Sequence, residues 1–338
     1  MTNAFDLVPD PAAAPPLRWG IIGPGGIARR FAREIPRHTA SVVAAVGSRE
    51  RGRAERFARE FGVDRAYGSY EELVADPGLD AVYIASPHSA HRDHALLALE
   101  AGKPVLVEKA FALSARQAAE VFAAARRLGL FCMEAMWSRF LPHYAALRQL
   151  VQGGTLGELR HLLGVHAQSL NLDPGWRMMN PALGGGALLD LGVYPVSLFH
   201  FLAGRPESVA ACGVLAETGV DLRENLVLGY GQGALAVALN DMSAPGRSPL
   251  AVVGSEARVD IDDWFYTPSD LLLTPRGGQP TLVAAKPDGG FQYEAAEAAR
   301  QIAAGALESP LMPWQATLEV LEILDEARRQ LGVEFPGA

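Results

Sequence analysis

Residues 17–28 read Leu17-Arg18-Trp19-Gly20-Ile21-Ile22-Gly23-Pro24-Gly25-Gly26-Ile27-Ala28. A short apolar run ends in a Gly-x-Gly-x-x-Ala turn, and an amphipathic segment follows at once. This is the strand–turn–helix pattern of a dinucleotide fingerprint, in which small residues let a pyrophosphate approach the free N–H groups of a helix. A plain structural turn is the alternative. The pattern favours dinucleotide binding by the turn residues, which are Gly23, Gly25, Gly26, Ile27 and Ala28.

The composition of the 338-residue chain predicts two globular domains and disfavours several classes of partner. With 30 basic and 38 acidic side chains, the net charge is −8, and no basic cluster suggests nucleic-acid binding. We expect no apolar run of membrane-spanning length and no secretory signal. The two cysteines, Cys132 and Cys212, suit a reducing compartment, so a cytoplasmic protein is expected.

The two halves of the chain differ in their pattern. After a flexible tail at residues 1–17, apolar runs alternate with amphipathic segments over residues 18–135, which predicts an α/β domain with a doubly wound parallel sheet. Over residues 136–338, short apolar strands rich in glycine predict an α+β domain with a mostly antiparallel open sheet. An apolar outer face on that sheet would produce a homodimer or homotetramer.

The end of the second strand indicates which dinucleotide binds. An NAD enzyme usually carries an acidic residue here, which binds the ribose hydroxyls. In this chain the strand runs instead into Gly47-Ser48-Arg49, and Arg53 follows closely. Because a guanidinium can make two charge-assisted hydrogen bonds to a 2′-phosphate, Ser48, Arg49 and Arg53 favour NADP, with NAD as the alternative.

Two further strand ends carry polar residues. The third strand is followed by Ser86-Pro87-His88-Ser89-Ala90-His91, and we expect Ser86, Pro87, His88 and His91 to border the nicotinamide ribose. The three-residue spacing of His88, His91 and His94 lacks a His-Glu-x-x-His motif, so no metal site is predicted. The fourth strand ends in Glu108-Lys109, where the lysine can present a cation to a substrate oxygen.

In the second half, the chemistry is concentrated in Gly184-Gly185-Gly186-Ala187-Leu188-Leu189-Asp190-Leu191-Gly192-Val193-Tyr194-Pro195. If this segment is helical, Asp190 and Tyr194 stand at i and i+4 on one face. Pro195 should kink or disturb that helix. A core tyrosine and an aspartate favoured by the helix dipole are the alternative interpretation.

These motifs resemble those of the glucose–fructose oxidoreductase, inositol dehydrogenase and MocA (Gfo/Idh/MocA) family, whose members have a Rossmann domain. The resemblance rests on the glycine turn, the loop 86–91 and the run Ala101–Lys109, although the family's Glu-Lys-Pro is Glu108-Lys109-Ala110 here. Tyr194 is similar to the branch that holds dimeric dihydrodiol dehydrogenases, NADP-linked xylose dehydrogenases and glucose–fructose oxidoreductase. Residues 133–142 and 308–313 support that branch.

The resemblance implies hydride transfer between NADP and a hydroxyl-bearing carbon of a sugar, cyclic polyol or trans-dihydrodiol. It implies catalytic roles for Lys109 and Tyr194, with Asp190 orienting the substrate. It also implies that the cofactor is bordered by Glu108, Lys109, Trp176 and Arg177, and that the substrate pocket is lined by Trp137 and Arg139. A sugar–sugar oxidoreductase with a tightly held cofactor and a non-catalytic dinucleotide-binding regulator are the alternatives.

The chemistry of a tyrosine base explains why a lysine would be needed. Free tyrosine has a pKa of about 10, which is too high for an efficient base near neutral pH. An ammonium group about 4 Å away would favour the phenolate by about 4 kcal/mol at an effective dielectric constant of about 20. This would bring the pKa of Tyr194 close to neutrality, before desolvation opposes it. Lys109 acting directly as the acid and base is the rival assignment.

Overall fold

The computed structural model describes residues 3–231 and 233–338, which form two compact units. The parallel-sheet unit contains residues 10–137 and 289–318, and the antiparallel-sheet unit contains residues 3–9, 138–288 and 319–338. The first division falls two residues from the predicted boundary at residue 135. The stretch 289–318, however, returns to the parallel-sheet unit, which the alternation of strands and helices did not indicate.

The parallel-sheet unit has the predicted doubly wound topology. Within the described residues its six strands are ordered β3-β2-β1-β4-β5-β6 and all pair in parallel. The sequential order reverses between β1 and β4, which is where ligands bind in such sheets. The elements are β1 (Arg18–Ile22), α1 (Gly26–His38), β2 (Val42–Gly47), α2 (Arg51–Phe61), β3 (Arg65–Tyr67), α3 (Tyr70–Val74), β4 (Ala81–Ile84), α4 (His91–Glu100), β5 (Val105–Glu108), α5 (Ala115–Leu128) and β6 (Cys132–Ala135).

Local signals account for several helix ends in this unit. Ser69 and Ser114 accept hydrogen bonds from backbone N–H groups three residues later, so each is an N-cap. Gly62 and Gly129 have φ of 67° and 68°, the left-handed conformation that ends a helix at little cost for glycine. These residues account for where the helices begin and end. The residues of the short strand Arg65–Tyr67 are half-buried and show no apolar alternation.

The antiparallel-sheet unit is built on an open sheet. Within the described residues its eight strands are ordered β14-β13-β12-β11-β7-β10-β9-β8, and only the β7–β10 pair is parallel, which confirms the predicted mostly antiparallel sheet. The remaining elements of the chain are α6 (Pro142–Gln152), β7 (Leu159–Ala167), α7 (Val193–Ala203), β8 (Ser208–Leu215), β9 (Asp221–Gly229), β10 (Leu235–Asp241), β11 (Leu250–Gly254), β12 (Ala257–Ile261), β13 (Leu271–Pro275), β14 (Thr281–Val283), α8 (Phe291–Ala303) and α9 (Trp314–Leu331). Of the last two helices, α8 belongs to the parallel-sheet unit, and the division at residue 318 falls within α9.

The stretch before β1 is the tail predicted over residues 1–17, of which residues 1 and 2 lie outside the described residues. Residues 3–17 contain two short 3-10 turns, Ala4–Leu7 and Pro11–Ala13, which Asn3 and Asp10 cap with their side chains. Ala4 is completely buried, so at least this part of the stretch packs against the protein. The small apolar side chains of this Pro/Ala-rich segment allow that packing.

One helical stretch, Pro181–Ala203, is long and apolar enough to cross a membrane by length and composition. The expectation that no apolar run reaches that length was therefore wrong. Of its most apolar window, 72% is buried inside the structure, which is typical of a core helix of a soluble protein.

Candidate active site

The glycine turn follows β1, at the point between β1 and β4 where the strand order of the parallel sheet reverses. Gly23 follows β1 with φ of 91°, and a Cβ placed there would lie 3.0 Å from the carbonyl oxygen of Ala85 and 3.1 Å from the nitrogen of Ser86. Because Ala85 and Ser86 follow β4, the two loops at the reversal are in close contact. Only glycine satisfies both the backbone angle and this space.

The start of α1 can bind an anion. Gly25 is the N-cap, no side chain among the described residues caps the helix, and its first turn carries no acidic residue. A Cβ added at Gly26 would meet nothing within 4 Å, so there is open space beside the first N–H groups. A helix N-terminus with exposed N–H groups binds phosphate. The turn therefore fits the pyrophosphate of a dinucleotide.

Two arginines follow β2: Arg49 lies two residues after the strand, and Arg53 lies in the first turn of α2. Arg49 and Arg53 are exposed, while Ser48 is buried. Burial raises the pKa of the Tyr70 hydroxyl. The nearby positive charges of Arg49 and Arg53, and a hydrogen bond from Arg49, partly offset this by lowering the pKa. Tyr70 packs its ring against His94 at a centroid distance of 4.5 Å. The cluster fits a 2′-phosphate, and sequence reasoning missed Tyr70, whose only signal was its position after an N-cap.

The loop histidines hold the backbone around Lys109. His88 Nε2 lies 3.3 Å from the carbonyl oxygen of Lys109, and His91 Nδ1 lies 2.9 Å from that of Ala110. The other ring nitrogen of His91 lies 2.7 Å from the Ser86 carbonyl oxygen. Burial, together with the nearby His88, lowers the pKa of His91 to about 3. The two histidines thus fix the position of Lys109, and their direct contact with the cofactor stays a prediction.

The remaining polar groups near Lys109 have separate partners. Glu108 is buried, accepts a hydrogen bond from the hydroxyl of Tyr83 and accepts another from the Lys109 N–H at 3.2 Å. His94 Nδ1 lies 2.9 Å from the Ser86 hydroxyl. In the part of the chain that the structure describes, no group of three or more His, Cys, Asp or Glu side chains could hold a metal.

In the antiparallel-sheet unit, the Gly-rich segment forms the predicted helix with an unpredicted first turn. Residues Leu188–Gly192 form a π turn that leads directly into α7, and a π turn inside a helix is frequent at functional sites. It carries Asp190, whose carboxylate lies 3.5 Å from the guanidinium of Arg177. Arg177 in turn lies over the ring of Trp176 at 5.9 Å. The structure thus brings Arg177 to Asp190, and the cofactor contact of Trp176 and Arg177 stays a prediction.

Tyr194 lies in polar and aromatic surroundings. Its side chain is only 6% exposed, and its ring centroid is 5.3 Å from that of His166 and 4.7 Å from that of Tyr266. Gln168 donates one hydrogen bond to the Tyr266 hydroxyl and lies 2.8 Å from His166 Nε2. Sequence reasoning missed His166 and Gln168. His166 lies near the end of β7 and Gln168 directly after it, and this spacing of two polar residues at a strand end is the signal that could have found them.

A buried pair of acidic residues lies beneath the π turn. Asp221 accepts a hydrogen bond from the backbone N–H of Leu188, and a Cβ at Gly186 would overlap its carboxylate. Glu224 is directly opposite Asn240 across β9 and β10, and both lie against Gly192. Burial raises the pKa of Asp221 to about 6, and burial together with the charge of Asp221 raises the pKa of Glu224 well above its ordinary value.

The raised pKa values predict how stability depends on pH. Both carboxyls bind protons more tightly in the folded than in the unfolded protein, so their contribution is fully present below about pH 4 and is lost as pH rises through the folded values. Relative to wild type, Glu224→Gln, whose amide does not titrate, should therefore gain thermal stability as the pH rises above about pH 4. Thermal denaturation measured across this range, with the exposed Glu256→Gln as control, tests this. Parallel profiles of wild type and Glu224→Gln would contradict it.

The two predicted pocket residues are buried, each within its own unit. Trp137 packs edge-to-face on Phe291 at 5.1 Å, and Arg30 lies 4.5 Å over its ring. Arg139 donates hydrogen bonds to the carbonyl and hydroxyl oxygens of Ser197 at 2.9 and 3.1 Å. Because Ser197 lies in α7, these bonds stabilise the position of that helix. These contacts are structural, and the lining of a substrate pocket by Trp137 and Arg139 stays a prediction.

Comparison with known families matches most of the chain. Residues 17–136 match an oxidoreductase family model with an NAD-binding Rossmann fold, and residues 144–260 match the GFO/IDH/MocA C-terminal domain. A trans-1,2-dihydrobenzene-1,2-diol dehydrogenase from Mus musculus is 38% identical over 331 residues, covering 95% of this chain and 98% of the relative. A D-xylose 1-dehydrogenase (NADP(+)) from Hypocrea jecorina is 35% identical, covering 95% and 93%.

Solved structures agree with this similarity. A 3-ketoreductase from Actinomadura kijaniata, in complex with NADP and TDP-benzene, aligns with a TM-score of 0.83 at 26% identity, covering 94% of this chain and 98% of that one. An aldose–aldose oxidoreductase from Caulobacter crescentus, complexed with glycerol, aligns with a TM-score of 0.82 at 26% identity, covering 94% and 97%.

Proposed function

Because this chain belongs to the GFO/IDH/MocA oxidoreductase family, we propose that it transfers a hydride between NADP and a hydroxyl-bearing carbon of a sugar, cyclic polyol or trans-dihydrodiol. The observation that carries the proposal is the segment with Asp190 and Tyr194. Tyr194 is buried and follows Asp190 by four residues, and the Asp190 carboxylate lies 3.5 Å from the Arg177 guanidinium. Such a pair can bind a hydroxyl group and move its proton.

The cofactor proposal rests on charge and space in the parallel-sheet unit. The uncapped start of α1 suits a pyrophosphate, and exposed Arg49 and Arg53 suit a 2′-phosphate. Asp or Glu directly after β2 would have favoured the ribose hydroxyls of NAD, and the two residues that follow the strand are instead Ser48 and Arg49. The relative from Hypocrea jecorina is named for NADP(+), which supports the same choice.

In the mechanism, bound NADP supplies a nicotinamide ring that accepts or donates the hydride. The hydroxyl of Tyr194 takes the proton from the substrate hydroxyl in oxidation and returns it in reduction. Asp190, oriented by Arg177, accepts a hydrogen bond from a substrate hydroxyl and fixes which carbon reacts. In the other unit, His88 and His91 fix the backbone of Lys109. Assistance to the proton transfer by Lys109 stays a prediction.

The direct test is the change in NADPH absorbance with a panel of aldoses, inositols and trans-diols, in both reaction directions. We expect turnover with at least one cyclic substrate and a higher kcat/KM with NADP(H) than with NAD(H). If the protein binds NADPH tightly yet turns over no member of the panel, a dinucleotide-binding regulator replaces the enzyme.

A second candidate is a sugar–sugar oxidoreductase that keeps its cofactor bound. The structural similarity to an aldose–aldose oxidoreductase favours it. Such an enzyme reduces one sugar while it oxidises another, so it needs no exchange of cofactor. Dialysis followed by mass spectrometry separates the two, since an exchanging dehydrogenase loses its NADP and the second candidate retains it.

We also propose that the chain forms a homodimer or homotetramer through the open sheet. On the face of β7, β9 and β10 opposite Glu224 and Asn240, apolar side chains are between 39% and 46% exposed: Leu163, Val227, Leu235 and Leu239. A continuous exposed apolar patch of this kind is typical of a protein–protein interface. A second copy offers the same self-complementary surface, as a two-fold interface requires.

Charges placed on this face should separate the subunits. The double variant Leu163→Glu/Leu239→Glu is expected to convert the oligomer to monomer, because each carboxylate would have to be buried without a partner. Light scattering coupled to gel filtration measures the mass. Leu172→Glu is the matched control, since Leu172 is 38% exposed and lies outside the sheet, in the loop after β7. A wild-type monomer, or an oligomer unchanged in the double variant, would overturn this proposal.

For location we propose the cytoplasm. The two cysteines are both free, with Cys132 buried and Cys212 exposed, as a reducing compartment permits. Fractionation of cells that express the tagged protein tests this, and recovery in the membrane pellet would contradict it.

A further inference from the structure

The helix that carries Tyr194 contains a proline where a backbone hydrogen bond would otherwise form. Pro195 is the third residue of α7 and follows the π turn Leu188–Gly192. In a regular α-helix the N–H of residue 195 would donate to the carbonyl of Leu191, four residues earlier. Proline has no N–H, so this carbonyl cannot receive that bond from its own helix.

A side chain of the sheet reaches the same carbonyl. His166 lies on β7, is completely buried, and has its Nδ1 3.0 Å from the oxygen of Leu191. A carbonyl oxygen only accepts, so Nδ1 carries the proton. The other nitrogen, Nε2, then accepts from the amide of Gln168 at 2.8 Å. Both contacts agree with one neutral tautomer, whose orientation is set from two sides.

The same imidazole contacts the proposed catalytic phenol. Its ring lies edge-on to that of Tyr194, with centroids 5.3 Å apart, and is 4.2 Å from that of Tyr266. Gln168 completes the arrangement by donating to the Tyr266 hydroxyl at 2.8 Å. His166 therefore links the backbone just before Tyr194 to the ring of Tyr194 itself.

We propose that His166 is a positioning residue for Tyr194. Its Nδ1–H donates to the Leu191 carbonyl the hydrogen bond that Pro195 cannot donate, and it thereby holds the turn that bears Asp190 and Tyr194. This inference rests on the proposed catalytic role of Tyr194. Apolar packing alone would not explain it, because an apolar side chain in the place of His166 would leave a buried carbonyl without this donor.

A double-mutant cycle with Pro195 tests the inference. His166→Leu should lower kcat by about 10²-fold, as expected for displaced catalytic groups, while the KM for NADP stays within about twofold. His166→Asn should retain most of kcat, because its amide nitrogen can donate where Nδ1 does. Pro195→Ala restores the missing N–H, so in that background His166→Leu should cost about tenfold or less.

Two results would overturn the inference. One is a kcat for His166→Leu close to that of wild type. The other is an equal loss in the wild-type and Pro195→Ala backgrounds, since the imidazole would then act only by filling space. If wild type itself shows no turnover, the proposed function has failed, and amide hydrogen exchange over residues 188–196 decides the positioning role alone. His166→Leu should speed this exchange and Pro195→Ala should reverse the effect, whereas unchanged exchange would refute the role.

Discussion

Replacement of Tyr194 by phenylalanine is expected to lower kcat by about 10²- to 10⁴-fold, the usual contribution of a general acid–base group. The change removes only the hydroxyl, so the ring contacts with His166 and Tyr266 should persist and the fold should be kept. The KM for NADP should stay close to the wild-type value, because the loss falls on proton transfer and not on cofactor binding. Steady-state kinetics with the best substrate of the panel measures this.

A matched tyrosine in the same unit provides the control. Tyr230 directly follows β9, and burial raises the pKa of its hydroxyl. Tyr230→Phe should therefore alter thermal stability with little effect on kcat. If Tyr194→Phe keeps near-normal turnover while Lys109→Met abolishes it, the rival assignment with Lys109 as the direct acid and base is correct.

The second large effect concerns the choice of cofactor. Arg49→Ala/Arg53→Ala should reduce the kcat/KM for NADPH by about 10²-fold or more relative to NADH. A charge-assisted hydrogen bond contributes about 1.5–3 kcal/mol, and each factor of ten requires about 1.4 kcal/mol. Only the kcat/KM for NADPH should fall, while that for NADH should stay unchanged, since NADH lacks the 2′-phosphate that the guanidinium groups would bind.

Arg51→Ala is the control for this experiment. Arg51 lies between the two arginines in sequence, but its side chain is 68% exposed and pairs with Glu55 on the same helix. Its loss should change the NADPH to NADH ratio by less than about threefold. A double variant at Arg49 and Arg53 that keeps its preference for NADPH would place the recognition of the 2′-phosphate elsewhere.

Much of the fold was predictable because its signals are local. The strand–turn–helix at Gly23, the serine N-caps and the αL glycines each act over a few residues, and the structure has them all. The proposed catalytic segment was also predictable, since Asp190 and Tyr194 have helical spacing. The unexpected element there is a π turn, because a propensity pattern cannot distinguish a π turn from an α turn.

What the sequence did not reveal depends on long-range contacts. The return of α8 to the parallel-sheet unit places Phe291 against Trp137, a pairing between residues far apart in sequence. The proposed role of His166 depends on its contact with the Leu191 carbonyl, which is 25 residues away in sequence. Arg177 likewise meets Asp190 through the fold, although the resemblance indicated a cofactor contact for it.

The most direct test of the central claim traces the hydride itself. A substrate deuterated at the reacting carbon is incubated with the enzyme and NADP, and the reduced cofactor is analysed by mass spectrometry. We expect one deuterium in each NADPH formed and a loss of this product in Tyr194→Phe. Oxidised substrate with no deuterium in the cofactor, or equal labelling by Tyr194→Phe, would contradict it.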